Sequence, residues 1–93
     1  MPLYAIICKD KPGALETRLA TRPTHLDYLN NSRNLKLAGA LLDDGGNPIG
    51  SIIVVEAEDK AAAQAQADND PFTGAGVFES VEVHAWRLAI GSL

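Results

Sequence analysis

Apolar residues are grouped along the chain in runs that predict four strands. Residues 3–9, 35–42 and 51–57 are short, mostly apolar segments rich in strand-forming residues, which is typical of β-structure. Residues 81–88 alternate apolar and polar side chains, as a strand with one covered face does. The turn-forming residues 43–48 separate the second run from the third, so these two strands are predicted to pair as a hairpin.

The segments between these runs predict two helices. Residues 14–34 space leucines at helical intervals, but Pro23 stands in their middle. Because proline lacks an amide hydrogen and clashes with the preceding turn, we expect a short helical turn and then a main helix that begins at Pro23. Residues 60–67 are rich in alanine and glutamine, with Asp59 as N-cap and residues 69–71 as the stop. The order β, α, β, β, α, β predicts an α+β, ferredoxin-like domain with an antiparallel sheet and both helices on one face.

Three of the predicted strands are apolar on both faces. On the third strand, Ile52 and Val54 point away from Ile53 and Val55, because successive side chains alternate across a sheet. Two helices in a chain of 93 residues cover only one face, and the other would expose an apolar patch of about several hundred Å². We therefore predict a homodimer whose two sheets face each other across a barrel-like interior. The alternative is a monomer whose second face is less exposed than the pattern indicates.

The composition indicates a single domain over residues 1–93. Hydrophobic residues make up 46% and charged residues 22%, close to the averages of soluble globular proteins. The net charge of −4 opposes a phosphate backbone, so no nucleic-acid partner is expected. No apolar run approaches the ~20 residues of a membrane span, so no membrane association is expected. The single cysteine, Cys8, cannot form an internal disulfide, and a cytoplasmic location is predicted.

Three cationic or titratable side chains are spaced four and three residues apart: Arg18, Arg22 and His25. This spacing predicts that they share one surface. The natural ligand of two arginines beside a helix N-terminus at Pro23 is an anionic group. From the spacing alone, a solvated basic face with an incidental histidine is the simpler interpretation.

Asp70 and Ser51 each have a structural and a functional interpretation. Asp70 precedes Pro71, a combination that commonly ends a helix. If Asp70 instead meets His25, it would fix the imidazole tautomer and stabilise the protonated ring, as the partner of an acid–base histidine does. Ser51 follows Gly50 and either completes the turn or donates a hydrogen bond to a ligand.

His84 is predicted to be a packing residue. It shares a strand face with Glu82 and Trp86, which favours packing on the dimer-facing side over catalysis. Two histidines without cysteines or carboxylates at ligand spacing predict no metal site.

Three motifs together resemble those of the YCII-related proteins. They are Arg-Pro-Thr-His-Leu at residues 22–26, Gly-Ser at residues 50–51 and Asp-Asn-Asp-Pro-Phe at residues 68–72. The resemblance implies a ferredoxin-like dimeric α/β barrel and a site built from a His–Asp pair, which falls on His25 and Asp70, with Arg22 and Ser51 nearby. It also implies a lyase-type elimination on a lactone as the kind of activity found in the family. The hairpin at residues 43–48 is shorter than in some members, which would alter the mouth of a pocket.

The leading hypothesis is a cofactor-free enzyme for a small anionic carbonyl or lactone compound, using lyase-, isomerase- or hydrolase-type acid–base chemistry. His25 would carry the proton, Asp70 would orient it, and Arg22 with Arg18 would hold the anionic group. The alternative is a non-catalytic, dimeric ligand-binding or accessory module. A cofactor-free oxygenase is a third possibility, but it needs an aromatic-lined pocket, and the chain has only one tryptophan, two tyrosines and two phenylalanines.

Overall fold

The four strands form one antiparallel sheet. The computed structural model describes residues 1–93. Its elements are β1 (Leu3–Asp10), α1 (Leu15–Asn30), β2 (Leu35–Leu42), β3 (Pro48–Glu56), α2 (Lys60–Asp68), α3 (Pro71–Gly74) and β4 (Phe78–Trp86). The strand order is β2-β3-β1-β4, and every neighbouring pair is antiparallel. The predicted α+β, ferredoxin-like architecture is confirmed.

Helix α1 runs through Pro23 without a break, so the predicted division into two helical pieces is wrong. Pro23 removes one hydrogen bond, the one that its amide would have donated to the carbonyl of Leu19. Both residues are exposed, and water can donate to a carbonyl on the solvent side of a helix. The cost is therefore small enough for the helix to continue. As a consequence, α1 has no N-terminus at Pro23, beside His25.

The second helical region differs from the prediction at its end. Asp59 caps α2 as expected, because its carboxylate accepts from the amide of Ala62 at 2.8 Å. Residues 71–74 lie outside the two predicted helices but form the short helix α3, and Asp70 is its N-cap. The Asp-Pro pair thus begins a helix as well as following one, since proline suits the first helical position.

The core lies between the sheet and the helices. The sheet contributes alternate side chains to it, and α2 contributes Ala63 and Ala67, whose small size lets the helix approach the strands closely. The buried members of this cluster are Tyr4, Ile6, Cys8, Leu29, Ile53, Val55, Ala57, Ala63, Ala67 and Val83. A smaller cluster of Ala14, Phe72 and Val77 lies under α3. No helix is long and apolar enough to cross a membrane.

The opposite face of the sheet is partly open and carries exposed apolar side chains. Leu37, Ile52 and Trp86 on that face keep 42%, 37% and 37% of their surface exposed. The first and third strands are thus apolar on both faces, as predicted, since their other side chains enter the core. On the helix side, β2 is also left uncovered, because Ala38 and Ala40 are exposed. This gap between α1 and β2 forms the cleft described next.

Candidate functional site

A cleft of about 150 Å³ lies between α1 and the β2–β3 part of the sheet. Four of the predicted site residues line it together: Arg18, Arg22, His25 and Ser51. The remaining lining is apolar or small and consists of Leu26, Leu29, Ala38, Gly39, Ala40 and Ile53. The helical residues that line the cleft are linked by spacings of three and four positions, so they lie on one face of α1. The small residues of β2 leave the space that a ligand would need.

His25 and Asp70 form a buried pair at this cleft. The Nδ1 atom of His25 lies 2.8 Å from Oδ1 of Asp70, and the two residues are only 6% and 2% exposed. They are 45 positions apart in the chain, so tertiary folding alone brings them together. The continuous helix α1 places the histidine, and the N-cap of α3 places the carboxylate.

The contact with Asp70 sets the tautomer of His25. An ionised carboxylate can only accept hydrogen bonds, so Nδ1 must carry the proton and donate it to Asp70. In the neutral ring, Nε2 is then the atom with a free lone pair. Nε2 makes no hydrogen bond within the chain. Every fully buried side-chain nitrogen or oxygen has a hydrogen-bond partner, so Nε2 is not fully buried. Nε2 is therefore open to the cleft that His25 lines, where it can accept a proton.

Phe72 holds both members of this pair. Its backbone amide donates to Oδ1 of Asp70 at 2.9 Å, and its ring stacks on the imidazole of His25, with centroids 3.9 Å apart and planes inclined by 19°. The ring is fully buried and packs edge-on against Phe78 at 5.8 Å. One side chain thus fixes the orientation of the imidazole, while the amide of the same residue fixes the carboxylate.

Arg18 is the centre of a second buried network. Its Nε donates to Oδ2 of Asp10 at 2.6 Å, and its Nη2 donates to Ser51 Oγ at 2.6 Å and to Oδ1 of Asp10 at 3.3 Å. The guanidinium carbon also lies 4.4 Å from the centre of the Phe72 ring, a favourable cation–π arrangement. Asp10 neutralises the charge of Arg18, so Arg18 is chiefly a hydrogen-bond donor to the cleft. Its Nη1 has no partner in the chain.

Arg22 is the uncompensated cation of the cleft. It is exposed and forms no salt bridge, in contrast to Arg18, one helical turn earlier. An anionic group entering the cleft would therefore meet an unpaired positive charge at Arg22. The hydroxyl of Ser51 accepts from Arg18 and keeps its own proton available as a donor.

Cys8 lies beneath the site as an inert, buried thiol. Burial, with a smaller contribution from the carboxylate of Asp70, raises the pKa of Cys8 to about 12, although the nearby Arg18 acts in the opposite direction. A thiol with this pKa is protonated at neutral pH and is a poor nucleophile. Gly50, which precedes Ser51, packs against the same strand, and a Cβ at Gly50 would collide with the carbonyl of Cys8.

Two residues of the site were missed in the sequence. Asp10 directly follows the first predicted strand, and an acidic residue at a strand end is a reasonable partner for the arginine that follows in the next helix. Phe72 belongs to the Asp-Asn-Asp-Pro-Phe motif, but no role was predicted for its ring. A bulky aromatic residue directly after a candidate Asp-Pro was the available signal for its role.

His84 lies away from the cleft. It pairs with Ala5 across β1 and β4, on the face opposite the helices, and its Nε2 is 3.3 Å from Glu82 Oε1. Both side chains are more than half exposed. The two histidines of the chain therefore have different surroundings, one buried against a carboxylate and one in solvent.

Known proteins are similar in sequence to almost the whole chain. The model of the YCII-related domain matches residues 2–87. The chain belongs to the YCII family. The protein YciI of Escherichia coli O6:H1 is 39% identical to it, over 91% of this chain and 96% of YciI. A Haemophilus influenzae protein is 33% identical, over 90% of this chain and 95% of its own length. The resemblance noted in the motifs is thereby confirmed.

Solved structures of the same fold include enzymes of small molecules. The 5-chloro-2-hydroxyhydroquinone dehydrochlorinase TftG of Burkholderia phenoliruptrix AC1100, in complex with 2,5-dihydroxybenzoquinone, superposes with a TM-score of 0.85 and 32% identity. The match covers 94% of this YCII chain and 95% of the enzyme. An antibiotic biosynthesis monooxygenase superposes with a TM-score of 0.59 over 97% of this chain and 100% of its own. At 14% identity this second likeness shows the fold alone.

Proposed function

We propose that this YCII protein is a cofactor-free enzyme that carries out acid–base chemistry, of the elimination type, on a small anionic carbonyl or lactone compound. The observation that carries the proposal is the buried 2.8 Å contact between His25 Nδ1 and Asp70 Oδ1, which leaves Nε2 free at a cleft. Such a pair supports general acid–base catalysis because the carboxylate fixes the ring and stabilises the imidazolium that forms. The similarity to a dehydrochlorinase supports the choice of elimination.

The first step of the proposed reaction is proton removal by His25. Nε2 would take a proton from the carbon next to a carbonyl group, and the electron pair of that C–H bond would pass into the carbonyl as an enolate. The imidazolium would be stabilised by Asp70. The N–H groups of Arg18 Nη1 and the hydroxyl of Ser51 are the donors able to face the enolate oxygen, where hydrogen bonds stabilise the developing charge.

The second step would be expulsion of the leaving group. As the enolate collapses, its electrons form a carbon–carbon double bond and the leaving group departs from the adjacent carbon with its bonding pair. His25 would return its proton to the leaving group or to solvent, restoring the neutral ring. Arg22, unpaired and exposed beside the cleft, would hold the anionic group of the substrate so that the reacting carbon faces Nε2.

A direct test is to incubate the protein in D₂O with 5-chloro-2-hydroxyhydroquinone and with a panel of small carboxylated lactones, following products and deuterium incorporation by NMR. We expect turnover of at least one compound, and a loss of about 10²- to 10⁴-fold in His25→Gln, the contribution typical of a general acid–base group. His84→Gln is the matched control, since His84 lies outside the cleft, and its activity should equal that of the unaltered protein.

The same experiment distinguishes catalysis from ligand binding. A non-catalytic module would bind members of the panel without converting them, and His25→Gln would change affinity only. A melting temperature that falls sharply in His25→Gln would instead indicate that the histidine serves stability. Either result would overturn the assignment of His25 as the proton carrier.

We also propose that the protein is a homodimer through the face of the sheet opposite the helices. The support is the exposure of Leu37, Ile52 and Trp86 on that face, because exposed apolar surface on a sheet often marks an interaction site. Sedimentation at micromolar concentration should give twice the chain mass, and Ile52→Lys should give the chain mass. A monomer in both samples would contradict the proposal.

A further inference from the structure

A second cavity continues the cleft toward the beginning of α1. This outer groove, of about 290 Å³, is lined by Leu19, Leu42 and Pro48 together with Arg18, Arg22 and Ala40. The last three residues also line the inner cleft that contains His25. The two spaces therefore meet at Arg18 and Arg22, and a molecule held there can extend into both.

The outer groove differs from the inner cleft in its chemistry. His25 and Ser51 belong to the inner cleft only, whereas the side chains unique to the outer groove are all apolar. Leu19 and Leu42 are 53% and 60% exposed, among the larger exposures of any leucine in the chain. Two open leucines facing one groove favour an apolar occupant, because covering them removes apolar surface from water.

The position of Arg22 sets how far such an occupant would reach. Arg22 and Leu19 are three positions apart on one helix, which corresponds to a rise of about 4.5 Å. A substituent of roughly three to five carbons, starting from an anionic group at Arg22, would therefore span the outer groove. Longer substituents would extend past Leu19 into solvent.

We infer that the outer groove is a second ligand subsite, which accepts a short apolar substituent on the anionic compound whose charged group is held at Arg22. This inference rests on the proposed function, since it takes Arg22 as the anchor of the anionic group. It adds a specificity determinant: the preferred compound carries an alkyl or similar apolar group on the side of its anionic group away from His25.

The test uses unbranched carboxylates as probes, from acetate to octanoate, with binding followed by NMR chemical-shift titration of the full chain. We expect affinity to rise by about twofold for each added methylene, less than the roughly fourfold of full burial because the groove is open on one side. The increase should stop at about pentanoate or hexanoate. In the double variant Leu19→Ser/Leu42→Ser, acetate should bind as before while the increase with chain length disappears.

Two controls separate the anchor from the groove. Arg22→Gln should weaken the binding of every carboxylate by a similar factor, roughly tenfold. It should not change how the affinity depends on chain length. Ile90→Ser is the matched apolar-to-polar control, since Ile90 is 93% exposed and lines neither cavity. It should leave the whole series unchanged.

The outcomes that overturn the inference are distinct from those that overturn the proposed function. Binding of acetate at Arg22 with no gain along the series, or a gain that survives the double variant, would remove the outer subsite and leave the catalytic proposal standing. No binding of any carboxylate, or binding indifferent to Arg22→Gln, would remove the anchor and with it both proposals. A smaller particle mass in the double variant would assign the leucines to contact with a second copy and overturn the subsite.

Discussion

Two buried pairs of a basic and an acidic side chain lie in one site, and they differ in which groups they leave free to meet a ligand. In the Arg18–Asp10 pair both carboxylate oxygens accept from the guanidinium, at 2.6 and 3.3 Å. In the His25–Asp70 pair a single 2.8 Å contact uses one ring nitrogen and leaves the other open. Because a guanidinium does not lose its proton in proteins, the saturated Arg18–Asp10 pair shapes the cleft and offers a ligand only hydrogen-bond donors. The unsaturated pair is the one that can exchange a proton with a ligand.

The largest effect that this contrast predicts is on stability, at the saturated pair. Asp10→Ala would leave the Arg18 charge buried with only the Ser51 hydroxyl and the face of the Phe72 ring to stabilise it. We expect the free energy of unfolding to fall by about 3–5 kcal/mol, because removing one partner strands the other charge in a poorly solvated place. Urea unfolding measures the change. The double variant Asp10→Ala/Arg18→Leu should recover much of the loss, and no recovery would mean that burial of the charge is not the cause.

A smaller loss of stability is expected on substitution of Phe72, which contacts both pairs. Phe72→Leu keeps the amide that donates to Asp70 but removes the ring that stacks on His25 and faces Arg18. We expect a loss of about 1–3 kcal/mol from packing, as for a reshaped core site, together with lower activity. Phe78→Leu is the matched control, because Phe78 packs against Phe72 and the main core without stacking on His25 or facing Arg18. Equal activity losses in the two variants would contradict a positioning role for Phe72.

At the unsaturated pair, stability and activity should separate. Asp70→Asn keeps an acceptor for the amides of α3 and for His25 Nδ1 while removing the negative charge. We expect the free energy of unfolding to fall by only about 1 kcal/mol, the value of a capping contact. Turnover should fall by about 10²-fold or more, since the imidazolium loses its stabilising carboxylate. A stability loss as large as that of Asp10→Ala would remove the distinction between the two pairs.

At neutral pH the smallest effect is expected at Cys8, whose thiol lies near both pairs. Burial raises its pKa from 9.0 to about 12, so the folded state holds the thiol proton more tightly than the unfolded chain does. The resulting stabilisation is fully present below pH 9.0 and is lost as the pH rises through about 12. Tyr28, whose pKa is also raised by burial and by Asp70, changes stability in the same direction.

The measurement for Cys8 is the difference in unfolding free energy between the unaltered protein and Cys8→Ala across pH 7 to 11. The difference should be constant at low pH and shrink above pH 9.0. In addition, a thiol reagent at pH 8 should leave Cys8 unmodified in the folded protein and modify it in urea. Rapid modification of the folded protein would contradict the burial of the thiol.

Much of the fold follows from local sequence patterns. The hairpin of β2 and β3 is encoded by two apolar runs around a strong turn, and Asp59 caps α2 because its carboxylate meets amides only three residues away. Such features depend on neighbours in the chain. The prediction failed at Pro23, because whether a helix tolerates a proline depends on which side of it faces water, and that is decided by packing.

Most residues of the site could be predicted from the sequence, but the contacts between them could not. The motifs pointed to His25, Asp70, Arg22 and Ser51, while Asp10 escaped notice and Arg18 was expected to hold a ligand. A pair such as Arg18 and Asp10, eight positions apart and in different elements, has no local signature, since charged residues at that spacing are common on any surface.

By itself the sequence determined the α+β order of elements, the apolar faces of the strands and the residues able to carry chemistry, because each depends on spacing within one segment. Only the tertiary structure decided that Asp70 caps a new helix beside His25, that Asp10 neutralises Arg18, and that Arg22 stays unpaired. These depend on distances between segments 8 to 45 residues apart. Such distances are set when the helices pack on the sheet, and no local pattern specifies them.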